Sequence, residues 1–179
     1  MNILIAEDEQ DVRTLYKYTL EDRGHNAILT NNGDDCLKTY HERYKHKRYN
    51  SSFFDVVILD YRMPGEMNGI DVAREILDMN PKQRIILVTA HAKETLESSI
   101  KQLKRIIELI QKPFSPQALI ETIEDNEEYE RVKSLVGKIN EIEKTTARKE
   151  KPSQQDGPSS EQIMDIFETL KKIHRGRTF

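Results

Sequence analysis

The sequence predicts an α/β domain built on a doubly wound, five-stranded parallel sheet, with a C-terminal helical extension. Three observations lead there. Over the first 125 or so residues, short apolar runs alternate with longer amphipathic segments, the pattern of parallel strands joined by crossover helices. Two of the runs, FFDVVILD and IILVTA, are apolar without alternation, as in central strands buried on both faces. Glycine, proline and asparagine punctuate the joins.

In chain order, the strands are predicted at Ile3 to Ala6, Asn26 to Thr30, Phe54 to Leu59, Ile85 to Thr89 and Ile106 to Ile110. Helical spacing links Val12, Leu15, Tyr16 and Leu20, then Cys36, Leu37, Tyr40 and Tyr44, then Ile70, Val72, Ala73, Ile76 and Leu77. A weaker set is Leu96, Ile100 and Leu103. Gly24 stops the first helix, Asn32 with Gly33 marks a turn, and Asn80 with Pro81 ends the third helix. Ser115 as N-cap and Pro116 as first helical residue open a fifth helix.

Beyond Asn126 the character changes. Val132, Leu135, Val136, Ile139 and Ile142 form a thin apolar stripe on a charged segment, so a helix continuing the fifth is expected over 126–144. A linker (TTARKEKPSQQDGPSS, 145–160) precedes an amphipathic helix over 161–175, with Ile163, Ile166, Phe167, Leu170 and Ile173 on one face. The domain itself is expected to span 1–125.

Composition narrows the function. The 179 residues carry 28 Lys or Arg against 31 Asp or Glu, so bulk attraction to nucleic acid or anionic membrane is not expected. The charge is uneven: residues 130–179 hold 11 basic and 8 acidic side chains, residues 1–129 hold 17 and 23. The single cysteine, Cys36, makes neither an internal disulfide nor a cysteine-based zinc site, and no run is long enough to span a membrane. A soluble, cytoplasmic protein is expected. The stretch HERYKHKRYNSS (41–52) is basic and tyrosine-containing, and reads as a solvated helix end and loop, the alternative being a docking patch for an acidic partner or nucleic acid.

Chemistry collects at the carboxyl ends of the strands, where open parallel sheets place their functional residues. Glu7 and Asp8 follow the first strand, Asp60 closes the third, Thr89 ends the fourth and Lys112 follows the fifth. Three converging carboxylates repel one another unless a cation sits among them, and magnesium suits such an oxygen set. Thr89 and Lys112 supply a hydroxyl and an ammonium suited to phosphoryl oxygens.

With these residues in view, the segment from Met1 to about Asp125 resembles a receiver domain of the two-component response regulator family, which has a flavodoxin-like fold. The motifs are ILIAEDE (3–9), VVILDYRMPGEMNGID (56–71), ILVTAHA (86–92) and QKPF (111–114). The resemblance implies that Asp60 accepts a phosphoryl group from a histidine kinase or phosphotransfer protein. It implies that Glu7, Asp8, Asp60 and the backbone carbonyl of Arg62 hold Mg2+. Thr89 and Lys112 would contact the phosphoryl oxygens, and Lys112 would pair with the acids at rest. Pro113 would shape the turn and Phe114 anchor it, while Gly69 would open the third helix.

The sequence departs from the family pattern in places. Glu7 stands where Asp is more usual, and Leu109 where many members carry an aromatic switch residue, so an aliphatic shift would replace the aromatic one. Ala90 keeps the family's small residue after the threonine. Arg62 and His91 occupy positions that modulate autodephosphorylation, and their bulk predicts slow hydrolysis. No P-loop and no GxGxxG are present, and Arg62 stands where a haloacid-dehalogenase-like phosphatase needs a second Asp. Turnover of a small substrate is therefore not expected beyond the chain's own phosphorylation and dephosphorylation. The alternatives are a phosphorylation-independent binding scaffold, or a regulator binding DNA through its basic extension. Partner docking or self-association through the C-terminal helices is the expected output.

Overall fold

The computed structural model describes residues 1–45, 53–90, 107–127, 129–135 and 137–138. The weak helix expected around Leu96 to Leu103, together with His91, residues 46–52 of the basic stretch, residues 139–144 of the expected helical continuation, the 145–160 linker and the 161–175 helix, lies outside the described residues. The chain divides into two compact units, Met1–Glu124 and Asp125–Phe179. In the second, residues 126–127, 129–135 and 137–138 are helical, and Asp125 interrupts the helix that precedes them.

The first unit runs β1 (Asn2–Ala6), α1 (Gln10–Asp22), β2 (Asn26–Thr30), α2 (Gly33–Lys45), β3 (Val56–Asp60), α3 (Gly69–Met79), β4 (Arg84–Thr89), β5 (Glu108–Gln111) and α4 (Pro116–Glu124). All neighbouring strands are parallel, in the order β2-β1-β3-β4-β5. The predicted α/β doubly wound sheet is thus the observed one. Its order reverses at β1, which lies between β2 and β3, so the ends of β1, β3 and β4 meet around one crevice.

The apolar runs of β1, β3 and β4 alternate their side chains between two cores. Leu4, Val57, Leu59, Ile85 and Leu87 face α2 and α3, whose Cys36, Tyr40, Val72, Ala73 and Ile76 fill that side. Ile3, Ile5, Val56, Ile58, Ile86 and Val88 face the other way, onto Tyr16 and Leu20 of α1 and Leu119, Ile120 and Ile123 of α4. Each such side chain contributes about 1.5–3 kcal/mol by leaving water. Cys36 is fully buried, and burial pushes its thiol up to about 12, so it remains protonated and inert.

The helix ends follow their sequence signals with one exception. Gly24 takes φ +76° just past α1, Asn80 caps α3, and the Ser115 hydroxyl accepts from the Ala118 N–H at 3.2 Å. Gly33, expected in a turn, is instead the first residue of α2. Asn32 caps that helix by accepting from the Asp35 N–H at 2.7 Å, and a Cβ on Gly33 would lie 2.8 Å from Val72 Cγ2. Glycine here permits close approach to α3, not a reversal.

Strand boundaries shift by one or two residues as well: β1 begins at Asn2, β3 runs Val56–Asp60, β4 begins at Arg84 and β5 runs Glu108–Gln111, and two of these shifts have a visible reason. β3 begins at Val56, because Phe54 leaves the ladder to stack its buried ring on Tyr40, with centroids 5.9 Å apart. β4 takes in Arg84, which is buried although charged. Its Nε donates to Glu108 Oε2 at 2.7 Å and its Nη2 to Glu108 Oε1 at 3.0 Å, tying β4 to β5. Nη1 and Nη2 also donate to the carbonyls of Ile123 (2.9 Å) and Thr122 (2.6 Å), satisfying the C-terminal end of α4. Arg84→Met should lower unfolding free energy by about 3 kcal/mol, the low end for a broken buried pair because Glu108 keeps partial access to water. Urea melts would show this, and a change under about 0.5 kcal/mol would make the clamp energetically idle.

Candidate functional site

Glu7, Asp8 and Asp60 come together at the crevice. Asp60 is the last residue of β3, and Glu7 and Asp8 follow β1, its neighbour in the sheet. One carboxylate oxygen from each lies within 4.8 Å of the others, making a group able to hold a cation among the described residues. Glu7 and Asp60 are buried, whereas Asp8 faces solvent. The set offers hard oxygen donors only and fits a divalent cation such as Mg2+.

Lys112 enters from the far side of the sheet. Its backbone N–H donates to the Thr89 carbonyl at 2.7 Å, which ties the turn after β5 to the end of β4. From there Nζ donates to Asp60 Oδ2 at 2.8 Å and to Glu7 Oε2 at 2.9 Å. The Lys112–Pro113 peptide is cis, and the Phe114 ring stacks on Tyr16 of α1 with centroids 6.0 Å apart. Glu7 and the Lys112 ammonium are both shifted. Burial pushes Glu7 up to about 7, the Asp60 charge adds to that, and the hydrogen bond from Lys112 opposes it. Burial works against the Lys112 ammonium, but its hydrogen bonds to Asp60 and Glu7 outweigh that and raise its pKa.

Backbone geometry supports Asp60 from behind. A Cβ on Gly69 would overlap the Asp60 carbonyl oxygen and approach Leu87 Cδ1 at 2.9 Å, so only glycine lets α3 start against the end of β3. Asn68 caps α3, accepting from the N–H groups of Ile70 (2.8 Å) and Asp71 (3.2 Å), and the Asp71 carboxylate in turn accepts from the Asn68 N–H at 3.3 Å. The Arg62 N–H donates to Asp60 Oδ1 at 3.4 Å, and its side chain is exposed. Thr89 is buried at the end of β4, Ala90 beside it is exposed, and Leu109 packs half-buried against the α2–α3 core.

A sequence profile of the response regulator receiver domain matches residues 3–124. The chain belongs to that family. Other comparisons agree with this receiver assignment. It is 26% identical over 176 residues to the alginate biosynthesis transcriptional regulatory protein AlgB of Pseudomonas putida, a match covering 96% of this chain and 34% of AlgB. It is 29% identical over 122 residues to the response regulator receiver protein CpdR of Brucella abortus, covering 68% of this chain and 92% of CpdR. Among solved structures, the response regulator TrrA of Thermotoga maritima, in complex with Mg(2+)-BeF, is 30% identical with a TM-score of 0.54, over 68% of this chain and 95% of TrrA. The chain spans about a third of the length of AlgB. Among the described residues, no helix is long and apolar enough to cross a membrane.

Two residues of the receiver's site carried no motif signal. Arg13 reaches back from α1 to the turn that bears Glu7 and Asp8, and Tyr16 is buried with its ring stacked on Phe114. Helical periodicity places Tyr16 in the core but does not show that it borders the acids, whose charge, after burial itself, raises its pKa.

Proposed function

We propose that this receiver accepts a phosphoryl group on Asp60 from the phosphohistidine of a histidine kinase or phosphotransfer protein, and that the chain acts as a two-component response regulator. The observation that carries this reading is the Lys112 ammonium 2.8 Å from an Asp60 carboxylate that shares a cation-holding cluster with Glu7 and Asp8. An Asp60 oxygen attacks phosphorus, the P–N bond to the donor breaks, and a P–O bond forms. Lys112 follows the negative charge from the carboxylate to the transferred oxygens. The Thr89 hydroxyl donates to the same oxygens once they arrive. Exposed Ala90 leaves room for the donor, while Arg62 and His91 modulate water attack on the acyl phosphate.

Glu7, Asp8, Asp60 and the Arg62 backbone carbonyl would hold Mg2+, which when bound neutralises charge on the phosphoryl oxygens as they approach the nucleophile. Glu7 must give up its proton for this. With its pKa near 7, Mg2+ affinity should fall about tenfold between pH 8 and pH 6. Calorimetric titrations at the two pH values check this, and equal affinities would contradict it.

The reading is tested by incubating the full chain with acetyl phosphate and Mg2+ and following intact mass. Uptake of one phosphoryl group, abolished by chelating the metal, is expected. No uptake under any condition would leave a binding scaffold. A cytoplasmic setting goes with this function. We further propose the 1–125, 126–144, 145–160 and 161–175 organisation, with the C-terminal helices docking to a protein partner or self-associating. AlgB's name as a transcriptional regulator keeps DNA contact through the basic extension as the second reading.

A further inference from the structure

We infer that Arg13 is a positioning residue for the acidic pair, holding the turn between β1 and α1 in the one shape that presents both Glu7 and Asp8 to a divalent cation. This rests on the proposal that these acids hold Mg2+. Consecutive residues of an extended strand point to opposite faces, so two adjacent acids reach one ion only if the backbone turns between them. The turn is present: Glu7 is buried, Asp8 is exposed, and oxygens of both still lie within 4.8 Å of each other and of Asp60.

Arg13 secures that turn. Its Nη1 donates to the Glu7 carbonyl at 2.6 Å and to the Asp8 carbonyl at 3.0 Å, so one nitrogen gathers two successive carbonyls. The Arg13 backbone is itself fixed, because its N–H donates to the Glu9 carbonyl at 2.9 Å in the first turn of α1. The helices on the other face of the sheet show what is missing here. α2 and α3 have their entries tied by the side chains of Asn32 and Asn68, whereas the N-cap of α1, Glu9, makes no side-chain capping bond. At this entry the ordering bonds run from the helix back to the loop, and the loop carries the ligands. Two further ties are the Glu7 N–H donating to the Thr30 carbonyl at 3.2 Å and the Glu9 N–H donating to Glu7 Oε1 at 3.4 Å.

Calorimetric Mg2+ titration of the full chain, comparing Arg13→Ala and Arg13→Lys, tests the inference. Residues that orient metal ligands typically change affinity 10–100-fold, and acting through backbone puts Arg13→Ala at about tenfold weaker. Arg13→Lys, which can reach one carbonyl, should recover part of the loss. At saturating Mg2+ the rate of labelling by acetyl phosphate in Arg13→Ala should return to that of the unmodified chain, which general damage to the fold would not allow. Unchanged Mg2+ affinity in Arg13→Ala, or tighter binding from relief of charge repulsion, would overturn the positioning role. So would a labelling deficit that persists at saturating Mg2+. If Arg13→Ala does not fold, Arg13→Lys alone decides, with intermediate affinity expected and wild-type affinity contradicting. Failure of the unmodified chain to bind Mg2+ would instead sink the metal reading beneath it.

Discussion

Asp60→Asn is expected to take up no phosphoryl group from acetyl phosphate, a loss of at least about 100-fold against the unmodified chain by intact mass. The amide cannot form the acyl phosphate. Of the two acids that remain, Glu7 is buried and accepts from Lys112, and Asp8 faces solvent. The substitution has a second readout that does not involve phosphate. The Asp60 charge is among the causes that raise Glu7, so neutralising it should bring the Glu7 pKa down from about 7 toward the ordinary carboxylate range. Carboxyl-carbon NMR of Glu7 would follow the shift. Labelling of Asp60→Asn at the unmodified rate would move the acceptor elsewhere, and an unmoved Glu7 would mean that the two acids do not share a field.

Lys112→Met should destabilise the metal-free protein by about 3 kcal/mol at pH 8, because two largely buried carboxylates lose the cation between them. The cost depends on pH, and its sign follows from Glu7. Its folded pKa is raised above the unfolded value of 4.5, so its contribution to stability is present below 4.5 and is lost as pH rises through about 7. Removing Lys112 removes the hydrogen bond that opposes this rise, which pushes Glu7 further up. At pH 5 Glu7 holds a proton and the repulsion is relieved, so the penalty should shrink to about 1 kcal/mol. Urea melts at pH 5 and pH 8 without metal measure it. Equal penalties at both would show that Lys112 matters for packing alone.

The parts of the fold that could be read from sequence were those where one residue type suffices. ILIA, VVILD and IILVT are apolar through and through because both faces of β1, β3 and β4 are covered, and acids at their ends break that pattern visibly. The candidate site residues were legible for the same reason: each ends or follows a strand. Arg84 was not, since a charged residue before an apolar run reads as loop until Glu108 and the carbonyls of Thr122 and Ile123, far away in sequence, take up its donors. Asn32 with Gly33 has the composition of a turn, and only the proximity of Val72 shows why a helix opens there on glycine. Arg13 leaves no motif either, because its partners are backbone carbonyls and any residue has those.

The most direct measurement of the central claim is to place the phosphoryl group on the chain. Borohydride reduces an aspartyl phosphate to homoserine, so treating acetyl-phosphate-labelled protein with borohydride and sequencing its peptides reports the acceptor. Homoserine at position 60, formed only when Mg2+ is present, is the predicted result. Homoserine at position 8, or reduction nowhere in a chain that has gained mass, would contradict it.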